Sequence, residues 1–120
     1  MRTKEIEIAG GRHLLVFNNR ALARMEEKGI KLDDLREGEK PVTNVLELLI
    51  MMSEAGARYA KLEHLGDYEP IDRDALMDTT GPDDYSRIQI AISEAMAGTR
   101  NVEAGPGKNA ESGPEEARGN

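Results

Sequence analysis

The chain has 120 residues, with 23 Asp and Glu against 16 Lys and Arg and a formal charge of −7. This carboxylate excess argues against duplex nucleic acid and anionic membrane surfaces, which are held by clustered cations that displace counterions. Cysteine is absent, which excludes a disulfide framework and thiolate zinc sites.

The length has room for one domain. With no Trp, one Phe and three Tyr, its core must be built from aliphatic, Met and Ala side chains. At about 1.5–3 kcal/mol per large apolar side chain buried, such a domain is expected to be marginally stable, a deficit that a partner or self-association can offset. The N-terminal MRTKEIEIAG lacks the apolar run of a signal peptide. The longest unbroken aliphatic and Met run, Leu48 to Met52, is far short of the ~20 residues a membrane helix needs. These features predict a soluble, cytoplasmic protein with no membrane partner.

Lys4 to Ile8 alternates polar and apolar residues, the pattern of a strand with one covered face. Gly10-Gly11 suits a two-residue hairpin loop, and Arg12 to Phe17 supplies a second strand. That loop would set Ile8 opposite His13 and Ile6 opposite Leu15. Both faces of the ribbon carry apolar residues, so helices are expected over at least one of them. Asn18 or Asn19 is suited to cap a helix from about Arg20 to Lys28, with Ala21, Leu22 and Met25 inward and Gly29 closing it. Ile30, Leu32 and Leu35 then suggest a short helical turn, and Glu37 to Pro41 a surface connection.

The stretch from Pro41 to Gly66 organises the chain. Val45, Leu48/Leu49, Met52, Ala55, Tyr59 and Leu62 recur at helical spacing, while Leu46, Ile50 and Met51 fill the opposite side of the first half. A helix apolar nearly all round must be buried on more than one side or await a partner. The spacing therefore predicts a central helix, capped near Pro41 or Thr43, whose first half is core and whose second half, with Arg58, Lys61 and Glu63, is half-exposed. Gly56 inside it costs about 1 kcal/mol relative to Ala unless a neighbouring segment packs closely there. Gly66-Asp67 is expected to end it.

Beyond it, Ile71 to Met77 reads as a short helix capped by Asp72, with Ala75, Leu76 and Met77 inward. Gly81-Pro82-Asp83 restarts the chain in a last helix with the stripe Tyr85, Ile88, Ile92 and Ala95/Met96, Ile90 lying to one side. From Val102 onward the composition turns to Gly, Pro and Glu, which cannot bury enough surface to offset ordering entropy. The expected organisation is one domain over residues 1–101 and a disordered tail over 102–120.

Chemistry leaves few traces. His13 and His64 fall on different elements and form no ligand pair, so a surface or half-packed His is the better account of each. Asp72-x-Asp74 lacks the third oxygen ligand and the Gly of a calcium loop. Gly105-Pro-Gly-Lys-Asn lacks the spacing, the Ser/Thr and the preceding strand of a phosphate loop. Ser53, Ser86 and Ser93 lie in helical patterns without a nucleophile elbow. The reading is non-enzymatic, with no catalytic residue, metal or cofactor. Met25, Met51, Met52, Met77 and Met96 are read as core filling, with a flexible partner groove as the alternative.

The order of parts carries a resemblance. A short hairpin ends in VFNNRALARMEEKGIKLDDL, then come the apolar helix VLELLIMMSEAGARY, PIDRDALMDTT, the amphipathic DYSRIQIAISEAM and a Gly/Pro/Glu-rich end. Over roughly Lys4 to Ala97 this resembles the tail assembly chaperones of long-tailed bacteriophages and the similar proteins of gene transfer agents and prophages. Its most telling part is the hairpin leading into Asn-Arg-Ala-Leu, with Glu26/Glu27, Gly29, Leu32 and Leu35 behind it. The resemblance implies a mainly helical, non-enzymatic protein that acts in the host cytoplasm during virion assembly. It would coat the tape measure protein, keep it soluble and recruit tail tube subunits, and be absent from the finished particle. In many members a fraction of ribosomes shifts frame near the end of the gene. Gly107-Lys108, with codons beginning GG and AA, is where a slippery run would fit, an ordinary Gly-Lys pair being the alternative.

The expected architecture is α+β, mainly α, with an N-terminal β-hairpin packed on about four helices. Leu49, Met52, Tyr59, Ile88 and Ile92 are the residues expected to meet a partner or a second copy, although they are equally the best core candidates. A small acidic regulatory binder of the antitoxin or anti-repressor type is the rival reading. The chaperone reading predicts an overlapping reading frame at Gly107-Lys108 and a very long helical gene immediately downstream. Sequencing the flanking DNA checks this, and a gene with neither neighbour counts against it.

Overall fold

The computed structural model describes residues 2–31 and 42–104, with side chains placed through Ala97. Strands β1 (Thr3–Ile8) and β2 (Gly11–Val16) form an antiparallel hairpin. Among the described residues four helices follow: α1 (Asn19–Glu27), α2 (Val42–Glu63), α3 (Arg73–Thr79) and α4 (Tyr85–Ala104), the last entered through a 3-10 turn at Pro82–Asp84. The architecture is α+β and mainly helical, as the pattern predicts.

The hairpin register differs from the expected one by two residues. Ile6 faces His13, Lys4 faces Leu15 and Ile8 faces Gly11. The loop is Ala9-Gly10, with φ of 53° and 79°. Two positive φ values match the type I′ turn that follows the twist of the strands. Because side chains alternate with period two, the slip leaves every residue on its expected face. One face carries Ile6, Ile8 and Leu15, which join Met25, the first half of α2, Ile71, Leu76 and the inner stripe of α4 in the main core. The other carries Leu14 and Val16, which pack on Ala60, Tyr59 and Tyr68 in a second, small cluster. Helices therefore cover both faces.

Asn18 caps α1, its Oδ1 accepting from the Ala21 N–H at 3.2 Å. At the far end the Ile30 N–H reaches the Met25 carbonyl (2.9 Å) and the Gly29 N–H that of Glu26 (3.1 Å), a Schellman closure that turns Ile30 into the core. Asp72 caps α3 in the same way, accepting from the Ala75 N–H at 2.9 Å. A two-pronged ion pair from Arg73 to Glu47 ties α3 to α2, with Nη2 to Oε1 at 2.8 Å. The start of α4 is held by Asp84, whose carboxylate accepts from the Gly81 N–H at 3.0 Å. That bond, with Arg87 beside it, holds the Asp84 carboxyl below its ordinary range. Two polar contacts bind α4 to β1: Lys4 pairs with Glu94 at 2.8 Å, and Arg87 donates to the Glu7 carbonyl at 2.7 Å.

The first half of α2 is buried from Val45 through Gly56 with few interruptions, and its second half opens to solvent. Gly56 marks the change. A Cβ built there would lie 1.8 Å from the Leu14 carbonyl oxygen and 2.6 Å from its carbon, so α2 crosses β2 main chain against main chain. The pair closing a two-residue loop is hydrogen-bonded, which makes Glu5↔Leu14 a non-hydrogen-bonded pair and turns the Leu14 carbonyl out to the free edge of β2. The helix covers that edge at the one residue thin enough to do so.

Several expectations need correction. Thr43 lies inside α2 rather than capping it, since the helix already begins at Val42. The helix ends at Glu63, before Gly66; His64 takes the left-handed position (φ 57°) and the Leu65 N–H returns to the Ala60 carbonyl at 2.9 Å. Leu62 is 76% exposed because only Ala60 and Tyr59 on that part of the helix meet the small cluster. Met77 is 38% exposed, because α3 is short and enters the core through Leu76. His13 is buried rather than at the surface or half-packed. The expected turn at Leu32 and Leu35, the connection to Pro41 and the tail beyond Ala104 lie outside the described residues.

Replacing Gly56 by Ala gains helix propensity of about 1 kcal/mol but forces two backbones apart, an overpacking cost of about 3 kcal/mol or more. The net loss predicts a markedly lower urea midpoint for Gly56→Ala; an unchanged or higher midpoint would mean that the helix does not cross the strand this closely.

Candidate functional site

An open cleft of about 950 Å³ lies between α1, the second half of α2 and the connection that follows it. One wall is helical, built from Arg20 and Arg24 of α1 with Glu54, Ala57, Arg58 and Lys61 of α2. The other is the run from Asp67 to Pro70, and Leu62 and His64 stand at the rim. The spacing of Ala57, Ala60 and Lys61 explains the opening: two small side chains and a long exposed one leave room that a larger stripe would fill.

The cations of the helical wall fall into two groups. Arg24 is engaged, donating to Glu27 at 2.7 Å and lying 3.6 Å from Glu54. Its bond to Glu27, then the charge of Glu54, hold the guanidinium above its ordinary range. Arg20, Arg58 and Lys61 are exposed and have no ion pair among the described residues. On the opposite wall Tyr68 is held in place: its hydroxyl donates to Glu5 at 2.8 Å, and the Arg12 guanidinium sits 5.2 Å above its ring. The bond to Glu5 raises the Tyr68 hydroxyl above the usual phenol range.

Two buried polar side chains anchor the connection behind the cleft. His13 Nδ1 donates to the Glu69 carbonyl at 2.6 Å and holds it. Its Nε2 is buried and has no partner among the described residues, and it lies close to where a Gly11 side chain would be. Ser53 is fully buried; its Oγ donates to the Ile50 carbonyl (2.7 Å) and accepts from the Ile71 N–H (2.8 Å). The chain thus passes from Tyr68 in the small cluster to Ile71 in the main core, fastened at both ends. Ser53, a small polar residue directly after the apolar run Leu48 to Met52, was the available signal for this anchor.

The residues expected to meet a partner lie elsewhere. Leu49, Met52, Ile88 and Ile92 are all buried in the main core, and Tyr59 is half-buried in the small cluster. They form no surface in this conformation, so a partner reaching the four aliphatic and Met side chains requires the helices to part. The large apolar side chains that are exposed include Leu62 at the cleft rim, Leu65 three residues on, and Ile90 on the outer side of α4. Among the described residues no group of three or more His, Asp or Glu is placed to hold a metal ion, and no helix is long and apolar enough to cross a membrane.

No protein-family model matches the chain, and neither does a curated protein or a solved structure.

Removing the Ser53 hydroxyl strands a buried N–H at Ile71. Ser53→Ala is therefore expected to lower unfolding free energy by about 1–3 kcal/mol in urea titration. Amide exchange at Ile71 should quicken with it, whereas an undisturbed Ile71 amide would show that the bond is not made.

Proposed function

We propose that this protein is a tail assembly chaperone, which binds the tape measure protein of a long-tailed phage and helps to recruit tail tube subunits to it. The observation that carries the reading is the cleft: an open, partly apolar surface with Leu62 exposed on its rim and Leu65 exposed just beyond. A long helical partner with uncovered apolar stripes aggregates in water, and a small body with apolar surface to spare keeps it soluble by covering them. The hairpin followed by a compact set of helices is the layout on which the family resemblance rests. On this reading the protein works in the host cytoplasm during assembly, leaves before the virion is complete, and acts through contacts rather than turnover. A frameshifted longer form at Gly107-Lys108 belongs to the same reading.

Co-expression tests it. A tape measure segment that is insoluble alone is expected to enter the soluble fraction and co-purify with the wild-type chain. The paired change Leu62→Glu and Leu65→Glu, which touches exposed positions, is expected to reduce that recovery while leaving the thermal midpoint nearly unchanged. A segment that stays insoluble beside well-folded wild-type protein overturns the proposal.

A further inference from the structure

We infer that the cleft grips an acidic, amphipathic segment of its protein partner, with carboxylates set against Arg20, Arg58 and Lys61 and an aliphatic side chain against Ala57 and Leu62. The inference rests on the partner-binding reading above and specifies the chemistry of what is bound.

In a chain with more carboxylates than cations, an exposed Arg or Lys has acidic neighbours in excess, as Arg24, Arg73 and Arg87 illustrate by pairing within the fold. Arg20, Arg58 and Lys61 do not pair among the described residues, yet they converge on one cleft from two helices. Arg58 and Lys61 are three residues apart and so adjacent on the surface of α2. Placed at the rim of a cleft with Ala57 and Leu62 beside them, such cations steer a negatively charged partner and fix its register. Asp67 and Glu69 on the opposite wall repel acidic groups, so the occupant must keep its carboxylates on the helical side. One acidic stripe beside one aliphatic stripe is the signature of an amphipathic segment. The volume suits a short stretch of chain rather than a domain.

The test uses two fluorescein-labelled peptides that share a Leu pattern at helical spacing, one with Glu and one with Lys at the polar positions. Fluorescence anisotropy is read with the full chain, with Arg58→Glu/Lys61→Glu, and with Arg2→Glu as an exposed control outside the cleft. The Glu peptide should bind the wild type and the control alike, lose at least about tenfold in affinity to the reversed pair, and release at about 0.5 M salt. The Lys peptide should bind more weakly throughout. Equal binding of both peptides, or no loss with the reversed pair at an unchanged thermal midpoint, overturns the inference. So does a wild type that sediments as a dimer and binds neither peptide, which would give the cleft to a second copy. If the reversed pair keeps a tape measure segment as soluble as the wild type does, the acidic-segment inference fails and the chaperone reading stands; if neither protein does, the reading itself fails.

Discussion

The close passage of α2 over β2 is the constraint on which the remaining structure depends. At Gly56 the helix and the strand touch through main-chain atoms, with the Leu14 carbonyl where a side chain would otherwise be. Only that contact lets one helix serve two clusters. Its first half delivers Val45 through Ala55 to the main core, and beyond the crossing Ala60 meets Leu14 and Val16. A residue with a Cβ would lift the helix from the strand and loosen both clusters together. The propensity cost of a mid-helix Gly is small beside the burial that its thinness allows on either side.

The crossing also creates the cleft. Past Gly56 the helix has used its inner face on Ala60 and Tyr59, and its flank is left with Ala57, Arg58, Lys61 and Leu62. The connection after His64 returns along this flank without filling it, because His13 and Ser53 hold it by the backbone at Glu69 and Ile71. Side-chain hydrogen bonds to main chain thus set the width of the opening. The Ser53 hydroxyl and the His13 Nδ1 tolerate burial because each finds a backbone partner.

Much of the fold could be read from local chemistry. Asn18 and Asp72 announce helix starts because the capping oxygen and the N–H it accepts from lie three residues apart. The stretch from Val45 to Met52, apolar nearly all round but for Glu47, announces burial on several sides. What could not be read depends on distance along the chain or on competing options of similar cost. Ala9-Gly10 and Gly10-Gly11 are rival loops, and the choice put Ala9 in a left-handed conformation that its identity does not advertise. His13 and Ser53 acquire their partners from 56 and 18 residues away. Leu62 continues the helical stripe by spacing, but among the described residues nothing comes to cover it. The cleft is a product of three separate segments and has no signature in any one of them.

A two-stranded ribbon ordinarily invites strangers, since each outer margin offers unpaired main-chain donors and acceptors. Here both margins are obstructed. The body of α2 lies over Leu14 on one, and the Arg87 guanidinium occupies the Glu7 carbonyl on the other. An incoming peptide therefore cannot zip onto the ribbon as an extra strand without first evicting a helix or breaking that bond. Recognition is left to side-chain surfaces, where charge and shape can discriminate between sequences in a way that backbone pairing does not.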